Sequence, residues 1–132
     1  MNIRLLHPSE IDAVWPLVSA GFGRALAKGG GDMSLGSLYQ QCVSGSARVL
    51  VAHDTEILGA AAFRHEVWTT GQKLRCLAMY GRRFREWKDE GVKAMHALKD
   101  AFGAGSIIFE GRLGQQFHFP NAKVLRALYE VA

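Results

Sequence analysis

A glycine followed by closely spaced arginines forms the segment of this sequence best suited to bind an anion. Gly81 is followed by Arg82, Arg83 and Arg85. An apolar run precedes the glycine and a long amphipathic run begins at Phe84, so the junction lies between a predicted strand and a predicted helix. The first N–H groups of a helix lack partners within it, and its N-terminus carries partial positive charge. The sequence therefore predicts an anion site at Gly81.

The same basic segment has features of a nucleic-acid interface. Basic side chains that alternate with aromatic ones can contact phosphates while a ring stacks on a base. The segment holds both kinds of residue, namely Arg82, Arg83, Phe84, Arg85, Trp87 and Lys88. The helical period, however, directs Phe84 and Trp87 toward the core. We therefore favour a solvated basic helix start and rank nucleic acid below a small anionic ligand.

Composition predicts a single domain over residues 1–132. The chain has 132 residues, 48% of them hydrophobic, a net charge of +4 and a pI near 9.3. That length suits one domain with one modest core, and the positive charge favours anionic partners. No apolar run has the form of a signal peptide or a membrane span, so we expect a cytoplasmic protein with no membrane partner.

The cysteines and the metal-ligating residue types follow no pattern typical of a metal site. Cys42 and Cys76 are far apart in the sequence and lack the paired spacing of zinc or redox motifs. We predict that both are reduced and buried. No spacing of His, Cys, Asp or Glu indicates a metal, so no metal is expected.

The N-terminal region predicts a strand followed by a helix. Ile3–Leu6 is a short apolar strand, and Ser9 with Asp12 three residues later is typical of a helix start. Apolar residues then follow the helical period, and Pro16 is expected to kink the helix because it removes a backbone donor.

A second helix is predicted after the glycine run at 29–31. It extends from Ser34, the predicted cap, to Ser44, and Gly45 is placed to end it. The two helices are expected to form a hairpin.

The middle of the chain changes to the pattern of strands. Apolar runs separated by short polar connections predict an antiparallel meander of three strands, at Ala47–Ala52, Ile57–Trp68 and Lys73–Tyr80. A helix over Phe84–Phe102 and a strand over Ser106–Glu110 follow. A strand, a long helix and a second strand predict a crossover connection. For Val124–Val131 we favour a strand, with a helix as the alternative.

This order of elements resembles the GNAT superfamily, the acyl-CoA-dependent N-acyltransferases. More closely, four short segments resemble small GNAT-like proteins of tailed bacteriophages: Leu58–Ala61, Gly81–Trp87, Phe102–Gly105 and Ile108–Gly114. In that group an EGR-x-G element is usually followed by an aromatic residue, whereas this chain has Gln115. The resemblance covers the chain from about Leu35 onward. It implies an α/β (α+β) fold with a mixed, mostly antiparallel central sheet, two N-terminal helices and one long central helix.

The resemblance also implies acetyl-CoA as the cofactor. In the family, the backbone of the strand before the central helix pairs with the pantetheine arm, and the loop that follows wraps the pyrophosphate. In this chain the strand is Leu74–Tyr80, and the positions implied for cofactor binding are Met79, Gly81, Arg82, Arg83, Phe84 and Arg85. The family's later loop glycines are replaced here, and Glu86 adds a negative charge nearby.

For transfer of the acyl group to an amine acceptor, the resemblance implies a base and an acid. Glu66, His65 and Glu110 are the candidate bases, and Tyr80 is a candidate acid. Alternatively, Glu110 forms a local charge pair with Arg112. His65 is expected to face solvent. Asn121 and Tyr129 are similar to the family's Asn-x-x-Ala and tyrosine pattern, with a spacing one residue longer.

A GNAT-like fold without catalysis is the other open alternative. Such a chain would act as an interaction module, with a phage or host protein as its partner and association with a virion. The replaced loop glycines favour this alternative, because backbone amides approach phosphate most closely at glycine.

Overall fold

The computed structural model describes residues 2–29, 32–110, 122–123, 125–126 and 130–132. These residues form five strands and three α-helices in a mixed α+β arrangement. In chain order the elements are β1 (Asn2–Leu5), a 3₁₀ turn (Pro8–Glu10), α1 (Ile11–Lys28), α2 (Leu35–Ser44), β2 (Ala47–His53), β3 (Ile57–Trp68), β4 (Gly71–Gly81), α3 (Phe84–Ala101) and β5 (Ser106–Ile108).

All five strands lie in one sheet, in the order β1-β2-β3-β4-β5. Neighbours from β1 to β4 are antiparallel, which confirms the meander. The short β5 is parallel to β4 and is reached through α3, which confirms the crossover. The sheet is therefore mixed and mostly antiparallel, as predicted.

The start of the first helix differs from the prediction. The cap is His7 rather than Ser9: the Ser9 N–H donates to His7 Nδ1 at 3.1 Å, and the His7 N–H donates to Glu10 Oε1 at 2.9 Å. The physical reason is Pro8, whose fixed φ suits the first helical position and so sets the turn earlier. The chain then continues as α1 through Pro16 to Lys28.

The helical hairpin is confirmed. Ser34 caps α2 by accepting the Ser37 N–H at 3.0 Å, and Gly45 ends it at a φ of 84°, a left-handed conformation that glycine adopts readily. The two helices meet through the rings of Trp15 and Tyr39, 5.2 Å apart.

Each face of the sheet carries its own apolar core. On one face α1 and α2 bury Val18, Phe22 and Leu38 against small residues of the strands. On the other face α3 buries Met95 and Leu98 against Phe63, Leu74 and Cys76. Both cysteines are free and buried, as predicted.

An irregularity in β4 redirects its side chains. The pairing passes from Ala62–Ala78 to Phe63–Cys76, so Leu77 is an extra residue and forms a β-bulge. Before the bulge, Cys76 packs on the α3 side, whereas after it Ala78 and Tyr80 pack on the α1 side. The bulge thus decides which helix Tyr80 contacts.

Several predicted boundaries shift, and one prediction falls outside the described residues. The first strand occupies Asn2–Leu5 instead of Ile3–Leu6, and β5 ends at Ile108, so Glu110 lies beyond the strand. Half of the strand predicted at Val124–Val131 falls on residues that the structure does not describe, and residues 125–126 and 130–131 lie in neither a strand nor a helix. Among the helices in the described ranges, none has the length and apolar character needed to cross a bilayer.

Candidate functional site

The outer edge of β4 opens where β5 ends. Only Lys73–Arg75 of β4 pair with β5. Beyond them, Cys76–Gly81 continue β4 toward α3, and within the described ranges this stretch has no strand partner on its outer side. The backbone N–H and C=O groups of an open strand edge can pair with an extended ligand that carries amides.

The open edge leads to an uncapped helix N-terminus. Arg83, the cap residue of α3, is left-handed at a φ of 55° and makes no side-chain capping bond. The Glu86 N–H donates to the Arg83 carbonyl at 2.9 Å, but the N–H groups of Phe84 and Arg85 have no hydrogen-bond acceptor among the described residues. Two free donors at the positive end of an 18-residue helix suit an anion.

Gly81 is required by the packing of Trp87. A Cβ at Gly81 would lie 2.5 Å from Cζ2 of the indole, and one at Gly59 would lie 3.0 Å from the same atom. The indole Nε1 donates to the Arg82 carbonyl at 2.8 Å, and the side chain is 7% exposed. Trp87 therefore fixes the start of α3 against β3 and β4, and Gly81 makes room for it.

Two of the three junction arginines are held by carboxylates. Arg82 pairs with Glu56. Arg83 contacts Asp54 at 3.3 Å and Glu86 at 2.6 Å. In contrast, Arg85 has no ion pair within the described part of the chain and is the junction arginine available to a ligand.

Asp54, one of the carboxylates of this surface, has a lowered pKa. A hydrogen bond from the Glu56 N–H, supported by the charge of Arg83, keeps the pKa of Asp54 below its ordinary value. Because these carboxylates neutralise Arg82 and Arg83, the positive charge at the junction is smaller than the sequence indicates.

The aromatic residues of the junction pack against each other. The Phe84 and Trp87 rings meet edge to face with centroids 5.0 Å apart, and Trp87 is buried. Phe84 keeps 38% of its surface exposed. The predicted inward direction is confirmed for Trp87 but wrong for Phe84, which lies at the exposed first position of α3, so a base-stacking platform would have to rest on Phe84 alone.

Tyr80 and Met79 lie on opposite faces of β4, near its end. The Tyr80 ring packs on Phe22 at 5.5 Å and lies directly over Gly21 of α1. Burial raises the pKa of Tyr80, and the charge of Arg24 opposes this only in part. The phenol is therefore protonated at neutral pH, as a proton donor must be. Met79 faces α3.

Glu66 and Glu110 are brought together, but far from Tyr80. Arg75 bridges them, with Nη1 3.6 Å from Glu66 Oε2 and Nη2 bonded to Glu110 Oε1. Tyr80 is five positions beyond Arg75 along β4, a distance of about 16 Å at ~3.3 Å per residue. The candidate residues therefore form two groups at different heights along β4.

The environment of Glu66 makes it a weak base. Burial acts to raise its pKa, but hydrogen bonds from Trp68 and Arg64 and the charges of Arg75 and Arg64 outweigh burial, so the pKa lies below its ordinary value. His65 is half-buried and does not project freely into solvent: its ring stacks on Phe102 at 6.0 Å and its Nε2 lies 2.7 Å from Gln72 Oε1. Arg112, Asn121 and Tyr129 lie outside the described residues.

Sequence reasoning missed the partners that decide these roles. Gly21 allows Tyr80 to lie against α1, and Arg75 joins the two candidate bases. A glycine on the apolar stripe of α1 was the available sequence signal for the contact between Gly21 and Tyr80. The bridge that Arg75 makes between Glu66 and Glu110 depends on pairing across three strands, which has no local signal. In the described part of the chain no group of three or more His, Cys, Asp or Glu is arranged to hold a metal ion.

Among known proteins, similarity to this chain is found in solved structures and not in sequence. No family model matches the chain, and no curated protein matches it in sequence. A GCN5-related N-acetyltransferase from Ralstonia eutropha JMP134 is similar in structure, with a TM-score of 0.69, 14% identity and coverage of 98% of this chain and 97% of that one.

Two further solved structures are similar over nearly their whole length. A predicted acetyltransferase with acetyl-CoA from Clostridium acetobutylicum has a TM-score of 0.70 at 14% identity, covering 98% of this chain and 95% of that one. A ribosomal-protein-alanine N-acetyltransferase from Brucella melitensis biovar Abortus 2308 has a TM-score of 0.67 at 13% identity, covering 100% and 99%. The chain therefore has a GNAT-like fold, which confirms the predicted fold class.

Proposed function

We propose that this protein is an acyl-CoA-dependent N-acyltransferase that uses acetyl-CoA and a primary amine. The observation that carries the proposal is the continuous path from the open edge of β4, at Cys76–Gly81, to the free N–H groups at the start of α3. Support also comes from the fold, because similar solved structures include acetyltransferases and one that contains acetyl-CoA.

The residues along this path suit the two chemically distinct parts of acetyl-CoA. The pantetheine arm carries amides, which pair with the backbone of Cys76–Gly81, including Met79, as an added strand would. The pyrophosphate accepts the N–H groups of Phe84 and Arg85, and the free Arg85 guanidinium adds charge-assisted bonds. Arg82 and Arg83 contribute less, because carboxylates already hold them.

Bound acetyl-CoA supplies an activated acyl group whose transfer to nitrogen releases a thiol. The acyl group would lie beside the Leu77 bulge, because a bulge leaves its extra residue out of the strand ladder and a backbone N–H freed in this way would stabilise negative charge on the carbonyl oxygen. Tyr80, three residues beyond the bulge, keeps its proton at neutral pH and donates it to the departing sulfur. The amine proton passes to a base, for which Glu66 and Glu110 remain the predicted candidates.

Binding and turnover test the proposal separately. Acetyl-CoA at millimolar concentration should raise the melting temperature, because it binds only the folded state. Arg85→Ala should raise the dissociation constant for acetyl-CoA about three- to tenfold, because a charge-assisted bond is lost. Lys93→Ala is the matched control, because it also removes a single positive charge from α3. Lys93 lies more than two turns beyond Arg85, and its side chain is 75% exposed.

The outcomes separate catalysis from simple binding. Release of a free thiol that depends on an amine supports the transferase. Binding without thiol release, across a panel of amines, assigns the chain to the non-catalytic alternative. No stabilisation by acetyl-CoA at millimolar concentration contradicts the proposal.

A further inference from the structure

Arg75 occupies the point where the sheet divides. It stands opposite Arg64 of β3 on one side and Ile108 of β5 on the other. The pair with Ile108 is the last of the β4–β5 ladder, and the open edge begins at the next residue, Cys76. A side chain at this position can therefore influence how far β5 stays joined to β4.

The Arg75 guanidinium joins carboxylates from both sides of β4. Its Nη1 lies 3.6 Å from Glu66 Oε2 on β3, and its Nη2 donates to Glu110 Oε1, two residues beyond the end of β5. The side chains of Arg75 and Glu66 are only 18% and 16% exposed. Salt screens a partly buried ion pair of this kind less than it screens an exposed one.

Each carboxylate has a second partner, independent of Arg75. Arg64 binds Glu66 Oε2 through Nε at 3.1 Å and Nη2 at 2.5 Å, and Trp68 Nε1 donates to Glu66 Oε1 at 3.0 Å. Arg126 lies 3.9 Å from Glu110. Loss of Arg75 would leave neither carboxylate without a cation, so the fold should persist while the link between β3 and the segment after β5 is lost.

We propose that Arg75 is a positioning residue that fixes the place where β5 separates from β4 and so sets the width of the opening that receives the acyl-CoA arm. This role rests on the proposed function. The planar fork of arginine suits it, because one guanidinium can bind two carboxylates at once, whereas a lysine ammonium is a compact charge on a flexible stem.

The test uses Arg75→Met and Arg75→Lys in the full chain. Arg75→Met should unfold cooperatively yet bind acetyl-CoA about fivefold or more weakly, and raise KM for acetyl-CoA while kcat changes little. Arg75→Lys should recover only part of the affinity. Glu110→Gln should weaken acetyl-CoA binding as Arg75→Met does, and the double variant should show non-additive losses of affinity. Arg4→Met is the control, because it breaks an ion pair with Glu10 at the opposite edge of the sheet.

Hydrogen exchange supplies a readout that needs no ligand. Arg75→Met should speed exchange of the amides in Ser106–Ile108 and leave the β2–β3 ladder unchanged. Unchanged exchange in Ser106–Ile108 overturns the proposal, as does a wild-type acetyl-CoA affinity in Arg75→Met. Faster exchange in Arg75→Met, together with a wild type that fails to bind acetyl-CoA, supports the positioning role while contradicting the proposed function.

Discussion

At the scale of single residues, the contact between Gly21 and Tyr80 joins α1 to the candidate site. The Tyr80 ring occupies the space that any side chain at Gly21 would need, and Phe22 fixes the ring from the side. The candidate proton donor is therefore held by a helix on the face of the sheet opposite α3. The orientation of Tyr80 depends on the absence of one Cβ atom.

Gly21→Ala should consequently destabilise the protein by about 1–3 kcal/mol, because the new Cβ overlaps the tyrosine ring. Gly23→Ala is a close control. Its Cβ would meet only Leu35 Cδ2 at 3.8 Å, so the higher helix propensity of alanine should make it neutral or stabilising by up to about 1 kcal/mol. Urea unfolding of both variants measures the difference; equal effects would contradict the described packing of Tyr80.

The lowered pKa of Glu66 makes stability depend on pH. A carboxyl whose pKa is lower in the folded state stabilises the protein above its unfolded pKa of about 4.3, and this contribution is lost as pH falls through the folded pKa. Glu66→Gln should therefore be less stable than the wild type at pH 7, and the difference should shrink below about pH 4.

Unfolding free energies measured from pH 7 to pH 3 test this expectation. Glu90→Gln serves as the control, because Glu90 forms an exposed pair with Lys93 at 3.6 Å and such pairs contribute little. A Glu66→Gln difference that stays constant over the whole pH range would show that Glu66 gains nothing from its arginine partners.

At the scale of elements, Trp87 is the anchor of α3. Its indole lies beside glycines of β3, β4 and α3, namely Gly59, Gly81 and Gly91, and its N–H bonds the Arg82 carbonyl. This contact holds the free N–H groups of the helix beside the end of β4. The candidate anion site therefore depends on a buried aromatic residue that never needs to touch the ligand.

Trp87→Phe should lower the free energy of unfolding by about 2 kcal/mol, because it removes the hydrogen bond to the Arg82 carbonyl and part of the volume of a buried ring. Trp15→Phe is the control, since no hydrogen bond of the Trp15 indole is found among the described residues. Thermal unfolding compares them, and an equal loss in the two variants would indicate that the bond to Arg82 contributes nothing.

The elements could largely be predicted from the sequence, because they are local. Apolar periodicity identified α2, the meander and α3, and the cap at Ser34 and the end at Gly45 follow from short-range chemistry. The cap at His7 was missed because Pro8 outweighed Ser9. The Leu77 bulge, the grouping of Glu66 with Glu110 and the ion pairs of Arg82 and Arg83 could not be predicted, because each depends on pairing between distant segments.

At the scale of the whole molecule, the fold places two distinct surfaces on either side of β4. One side carries Tyr80 against α1, and the other carries Met79 and the start of α3. An acyl donor on the open edge would lie between them, with its thioester near the bulge and its phosphates at Phe84 and Arg85. The net charge of +4 favours the approach of such an anion.

The most direct test of the central claim is a titration of the ¹⁵N-labelled protein with acetyl-CoA, followed through the backbone amide NMR signals. We predict saturable shifts concentrated in Cys76–Gly81 and at Phe84 and Arg85, with the β1–β2 ladder unchanged. Saturation accompanied by shifts confined to other regions, or no shifts at millimolar acetyl-CoA, would contradict the claim that the open edge of β4 and the start of α3 form an acyl-CoA site.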